Sequence, residues 1–151
     1  DTVMENIRFS GSHITEEQVF DACSKSGCDS FIRKLPKRYN EMIDNDRDDI
    51  SEGQKQLLTI ARAMASDPSI MILDEATSSV DVVTEDRIQK AVRELLNGRT
   101  SIIIAHRLSQ ITNCDKIVVI DEGKVSEIGT HDELIANGGF YSRLYASYIS
   151  G

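Results

Sequence analysis

The chain has 151 residues, the size of one ordinary domain, with 17 Lys and Arg against 25 Asp and Glu for a net charge of −8. Its 40% hydrophobic and 28% charged residues suit a folded globular chain, not a disordered one. The acidic excess speaks against a nucleic-acid partner, which requires clustered Lys and Arg; no apolar run approaches the roughly 20 residues of a membrane-spanning helix, and Asp1-Thr2-Val3-Met4-Glu5 has no secretory-signal pattern.

Taken in chain order, Thr15-Glu16-Glu17-Gln18 has the form of a capping box, with Thr15 as N-cap of an amphipathic helix that runs to about Gly27. A short helix is expected over Asp29–Leu35, ended by Pro36, and the polar Lys37–Asp49 reads as loop. Gly53–Ser66 places Leu57, Ile60, Ala61, Met64 and Ala65 on one helical face before Asp67-Pro68 breaks it. Ile70–Leu73 is a short apolar run of the kind expected for a parallel strand covered on both faces.

Thr84–Leu96 again has helical spacing, closed by Asn97-Gly98, and Ser101–Ala105 is a second buried strand. Asp115–Asp121 and Lys124–Thr130 flank Glu122-Gly123, a two-residue hairpin signal. His131–Asn137 and Phe140–Tyr148 read as closing helices. The three cysteines, Cys23, Cys28 and Cys114, make neither a C-x-x-C pair nor a zinc set and read as small packing residues. Strand, helix, strand in the middle predicts an α/β fold with a parallel sheet behind a mostly helical first third.

Three stretches carry chemistry. Ile70-Met71-Ile72-Leu73 runs into Asp74-Glu75, at the strand end where open α/β sheets place ligands. An Asp there can hold Mg²⁺ and a following Glu can polarise a water for attack on phosphate; the plain alternative is an acidic loop. Ile50-Ser51-Glu52-Gly53-Gln54-Lys55-Gln56 puts a hydroxyl and a glycine at a helix start, a ready anion site. Ser51 as a simple N-cap is the alternative. In Ile102-Ile103-Ile104-Ala105-His106-Arg107 a histidine follows the second strand, in reach of a terminal phosphate if the two strands are parallel neighbours.

In this order the features resemble the ATP-binding subunits of ABC transporters. Ile50–Gln56 is similar to the family's signature motif, usually Leu-Ser-Gly-Gly-Gln; Ile70–Glu75 to its Walker B strand; Ser78-Ser79-Val80-Asp81 to the D-loop; and His106 to the switch histidine. Thr2–Ile7 resembles the segment after the Q-loop in exporter-type members, and Gly129–Leu134 their C-terminal tail. The chain departs from the pattern at Glu52, where Gly is commonest, and at Arg47, where many exporters carry Gly. No G-x-x-x-x-G-K-[ST] phosphate loop occurs in the 151 residues, and the chain starts with Asp1, so a segment cut after the Q-loop of a longer polypeptide is expected.

The resemblance implies a partial P-loop NTPase core with a parallel sheet plus an N-terminal helical subdomain: residues 1–66 as the signature subdomain and 67–151 as the second half of the ATPase core. It implies ATP and Mg²⁺ as cofactors, Asp74 as the metal ligand, and Glu75 and His106 as catalytic residues. Ser51, Glu52, Gly53, Gln54 and Asp81 would meet nucleotide across a dimer. The implied partners are a second nucleotide-binding domain and a transmembrane domain, at the cytoplasmic face of the cell membrane, with hydrolysis powering export and the segment alone inactive for want of a phosphate loop. An ABC-type ATPase of chromosome maintenance is disfavoured by the compact, heptad-free Ile14–Asp49 and the acidic charge. A non-catalytic relative is disfavoured by the presence of Glu75 and His106.

Overall fold

The computed structural model describes residues 1–9, 11, 13–44, 50–74, 80–105, 108 and 111–149. Its elements are α1 (Val3–Arg8), α2 (Glu16–Ser26), α3 (Asp29–Ile32), a 3₁₀ turn (Arg38–Asn40), α4 (Glu52–Ser66), β1 (Ile70–Asp74), α5 (Val82–Leu96), β2 (Thr100–Ile104), β3 (Ile117–Asp121), β4 (Lys124–Gly129), α6 (His131–Ala136) and α7 (Phe140–Ile149). The chain divides into two compact units, Asp1–Met71 with Thr77–Ile102, and Ile72–Ala76 with Ile103–Gly151.

The first unit is held by an apolar cluster drawn from α1 to α5. Val3, Ile7, Val19, Cys23, Cys28, Ile32 and Ala61 in it are fully out of solvent. The helices begin where local chemistry says they should. Thr15 and Gln18 exchange hydrogen bonds as a capping box, and Gly27 in the left-handed region (φ 77°) ends α2. The face expected for α4 is buried, with Leu58 added to it. α5 starts at Val82, two residues before the position the apolar period suggests, because Asp81 caps it.

Three expectations for the first fifty residues are corrected. Helix α1 is present where no element is predicted, since the Thr2 hydroxyl accepts from Glu5 N–H and caps it. Helix α3 stops at Ile32 instead of reaching Leu35, because Lys34 N–H and Leu35 N–H bond back only three residues, to the Phe31 (2.9 Å) and Ile32 (3.0 Å) carbonyls, as turns. Within the segment expected as loop from Lys37, Glu41 and Ile43 are tied to the chain's first residues. Val3 N–H donates to the Glu41 carbonyl (2.9 Å) and Ile43 N–H to the Asp1 carbonyl (2.8 Å), around a Thr2–Met42 bridge.

Strands β1 and β2 pair in a two-stranded parallel sheet, the arrangement that strand–helix–strand order requires. They are not covered on both faces. Burial alternates along each, and Ile70, Ile72, Ile102 and Ile104 stand 49–65% exposed while Met71 packs on the first core. A continuous apolar run therefore conceals a half-covered sheet, because no described residue packs over the second face closely enough to bury it.

The second unit contains the antiparallel β3–β4 hairpin, whose turn residues Glu122 (φ 47°) and Gly123 (φ 75°) both take the positive φ of a two-residue turn. Its core is small: Ile117, Leu134 and Tyr141, with Val119 and Ile135 against them. Thr130 and Glu133 form the capping box of α6, and the Tyr141 hydroxyl lies 2.9 Å from His131 Nδ1. None of the described helices is long and apolar enough to cross a membrane.

Candidate functional site

The start of α4 is built by a reciprocal pair of bonds. Gln54 N–H donates to Ser51 Oγ (3.3 Å), and Ser51 N–H donates to Gln54 Oε1 (2.9 Å). Capping and ligand binding are not alternatives at Ser51. Its oxygen accepts inside the cap, yet a hydroxyl also carries one donor, and Ser51 is exposed. The first-turn N–H groups of Glu52 and Gly53 have no acceptor within the helix, whose dipole adds partial positive charge there. Gln54 has committed its carbonyl oxygen and retains its amide donors.

Gly53 is buried, and its Cα faces the start of α5. A Cβ built there would run into the Thr84 γ-methyl and reach within 3.0 Å of Val80 Cγ1. Absence of a side chain at 53 is thus what lets the starts of α4 and α5 touch. Next to this contact, Asp81 accepts from the N–H groups of Val83 (3.1 Å) and Thr84 (3.0 Å). The Thr84 hydroxyl first, and these N–H groups second, hold the Asp81 carboxyl below its ordinary range.

Ser51, Glu52, Gly53, Gln54 and Asp81 are therefore brought together at two adjacent helix starts within the first unit. Thr84 was not singled out by sequence reasoning. It joins Gly53 to Asp81, and its signal was its place three residues after an N-cap Asp. Asp74 ends β1 in the second unit and is exposed. A single carboxylate suits Mg²⁺, which takes one or two protein oxygens and completes its shell with water and phosphate. No described group of three or more His, Cys, Asp or Glu could form a metal site by itself. Glu75, Ser78, Ser79, His106 and Arg47 lie outside the described residues.

The family described as ABC transporter matches residues 2–78, a span that takes in α1, the Ser51–Gln54 turn and β1. The chain belongs to the ABC transporter family. An uncharacterised ABC transporter ATP-binding protein of Bacillus subtilis (strain 168), YfiC, is 49% identical over 146 residues, 97% of this chain and 24% of the relative. A probable multidrug resistance ABC transporter ATP-binding/permease protein of the same organism, YheH, is 43% identical over 144 residues, 95% of this chain and 21% of the relative. Among solved structures, a bacterial Atm1-family ABC exporter with ATP bound superposes with a TM-score of 0.83 at 35% identity, covering 97% of this chain and 26% of that one. This ABC chain spans about a quarter of the length of the curated relatives it matches.

Proposed function

We propose that the chain serves in an exporter-type nucleotide-binding domain, where ATP binding and hydrolysis drive a substrate out through a transmembrane domain at the cytoplasmic face of the cell membrane. The paired helix starts carry this reading: a capped but still donating Ser51, first-turn N–H groups, and Gly53 seated on Thr84 beside Asp81. Such a surface suits the oxygens of a terminal phosphate. In a head-to-tail dimer of two such domains, Ser51, Gly53 and Gln54 of one would close on nucleotide held by the other.

The metal-ligand role falls to Asp74, and Mg²⁺ when bound would neutralise charge on the phosphates. Glu75 would take up proton density from the attacking water, and His106 would orient that water against the terminal phosphate. Asp81 would report the state of one site to the other, since its carboxylate is fixed to Thr84 and Thr84 touches the Gly53 turn. No nucleic acid enters this scheme.

The test compares Glu75→Gln with two Ser51 variants in the whole transporter, reading ATP-dependent dimerisation beside hydrolysis. Glu75→Gln should stop turnover and leave an ATP-bound dimer. Ser51→Ala should weaken closure by about 1–3 kcal/mol for a charge-assisted bond, and it also removes the α4 cap. Ser51→Gly keeps most of the capping strength, so it should lose closure with little loss of stability. Turnover at the parent rate in Glu75→Gln, or normal closure in Ser51→Gly, would sink the proposal.

A further inference from the structure

Cys23 and Cys28 play no part in the nucleotide reading, yet the end of α2 places them together. Cys23 lies four residues before the left-handed Gly27, three before the last helical residue Ser26, and Cys28 is the first beyond the glycine. These are the two positions whose side chains meet when a helix closes on a left-handed residue. Both side chains are fully buried in the same cluster, and neither cysteine is in a disulfide.

The Ser26 hydroxyl links them, 3.3 Å from the Cys23 carbonyl oxygen and 3.2 Å from Cys28 Sγ. We propose that Cys23 and Cys28 are a reversible dithiol–disulfide couple that ties the end of α2 to the start of α3.

The chemistry needs an oxidant, and a small-molecule disulfide suffices. The Cys28 thiolate attacks one sulfur of that disulfide and expels the other as a thiolate, leaving a mixed disulfide on Cys28. Cys23, losing its proton to solvent, then attacks the Cys28 sulfur and expels the second thiolate. Two protein thiols and one small disulfide become one protein disulfide and two small thiols. The roles follow from each thiol's neighbours. The neighbouring Cys23 and then the Ser26 hydroxyl, 3.2 Å away, hold the Cys28 thiol below its ordinary range despite burial, while Cys28 and then burial push Cys23 up. Access comes when α3, only four residues long, opens locally.

The experiment incubates the native chain with oxidised glutathione, alkylates the remaining thiols and measures mass. Trypsin cleavage after Lys25 separates peptide 9–25, which carries Cys23, from peptide 26–33, which carries Cys28. The expected product has lost two hydrogens, shows these two peptides joined, leaves Cys114 unlinked to either, and reverts with a dithiol reductant. Cys114→Ser should keep the full conversion, and Cys28→Ala should abolish it. Joined peptides that form only in denaturant, or glutathione adducts on the native chain with no 9–25/26–33 link, would overturn the proposal.

Discussion

Gly53→Ala tests whether the contact between the starts of α4 and α5 is as tight as the geometry states. Alanine in place of glycine in a helix is worth roughly 0.5–1 kcal/mol in backbone entropy. Against this, the new methyl overlaps the Thr84 γ-methyl and crowds Val80 Cγ1 at 3.0 Å, and forced overpacking in a filled site costs typically about 1–3 kcal/mol. The overlap should win, with a net loss of about 1–2 kcal/mol. Thr84→Ser removes the colliding methyl and keeps the hydroxyl near Asp81. In the Gly53→Ala/Thr84→Ser double variant most of the loss should therefore return, a coupling of about 1 kcal/mol or more. Urea unfolding followed by far-ultraviolet circular dichroism, at concentrations that keep the chain monomeric, measures all four corners of the cycle. A stabilised Gly53→Ala variant, or additive effects, would refute the close approach and with it the mechanical link from Asp81 to the Ser51 turn.

Arg62→Ala removes donors to the Asn6 carbonyl (2.7 Å) and Asn6 Oδ1 (2.9 Å), and a guanidinium lying over the Phe9 ring; it should cost about 2–4 kcal/mol and speed amide exchange in α1 before any other helix. Asp81→Asn keeps a capping side chain and removes the charge. Because the Asp81 carboxyl titrates below its ordinary range when folded, the stability it confers is present above the unfolded carboxylate pKa and lost as pH falls through the lower folded value. The urea-midpoint gap between parent and variant should accordingly close in acid, and a gap that ignores pH would count against the assignment. Leu134→Ala hollows a core of three buried residues and should cost about 2–5 kcal/mol, seen as loss of exchange protection in α6 and the β3–β4 hairpin.

Where the chain states its own local rules, the sequence was readable. Thr15-x-x-Gln18, Ser51-x-x-Gln54 and Thr130-x-x-Glu133 each start a helix with reciprocal bonds, and Glu122-Gly123 turns the hairpin. Thr2-x-x-Glu5 carries a similar signal ahead of a helix of only six residues, too short to show an apolar period. What local rules could not give was the partner of each face. The apolar runs Ile70–Leu73 and Ile102–Ala105 look alike whether one face or both are covered, so the runs themselves do not say which isoleucines stand exposed. The same holds in the candidate site. Ser51 and Gly53 could be marked from the pattern, but that Gly53 exists to admit Thr84 depends on a contact 31 positions along the chain. The motif order pointed to the family, which residues 2–78 then matched.

The capping boxes also bear on the order in which the molecule assembles. Each joins residues three apart, so it closes with the shortest loops the chain can make and needs no distant partner. The Ser51–Gln54 box can form while α4 is still nucleating and the core is not yet sealed. Its seat on Thr84 has to await the docking of α5. The Ser51–Gln54 turn is in this sense an early folding product, and its alignment with the neighbouring helix a late one. Lesions at Gly53 or Thr84 would then be felt mainly as faster unfolding, and lesions at Ser51 as slower folding.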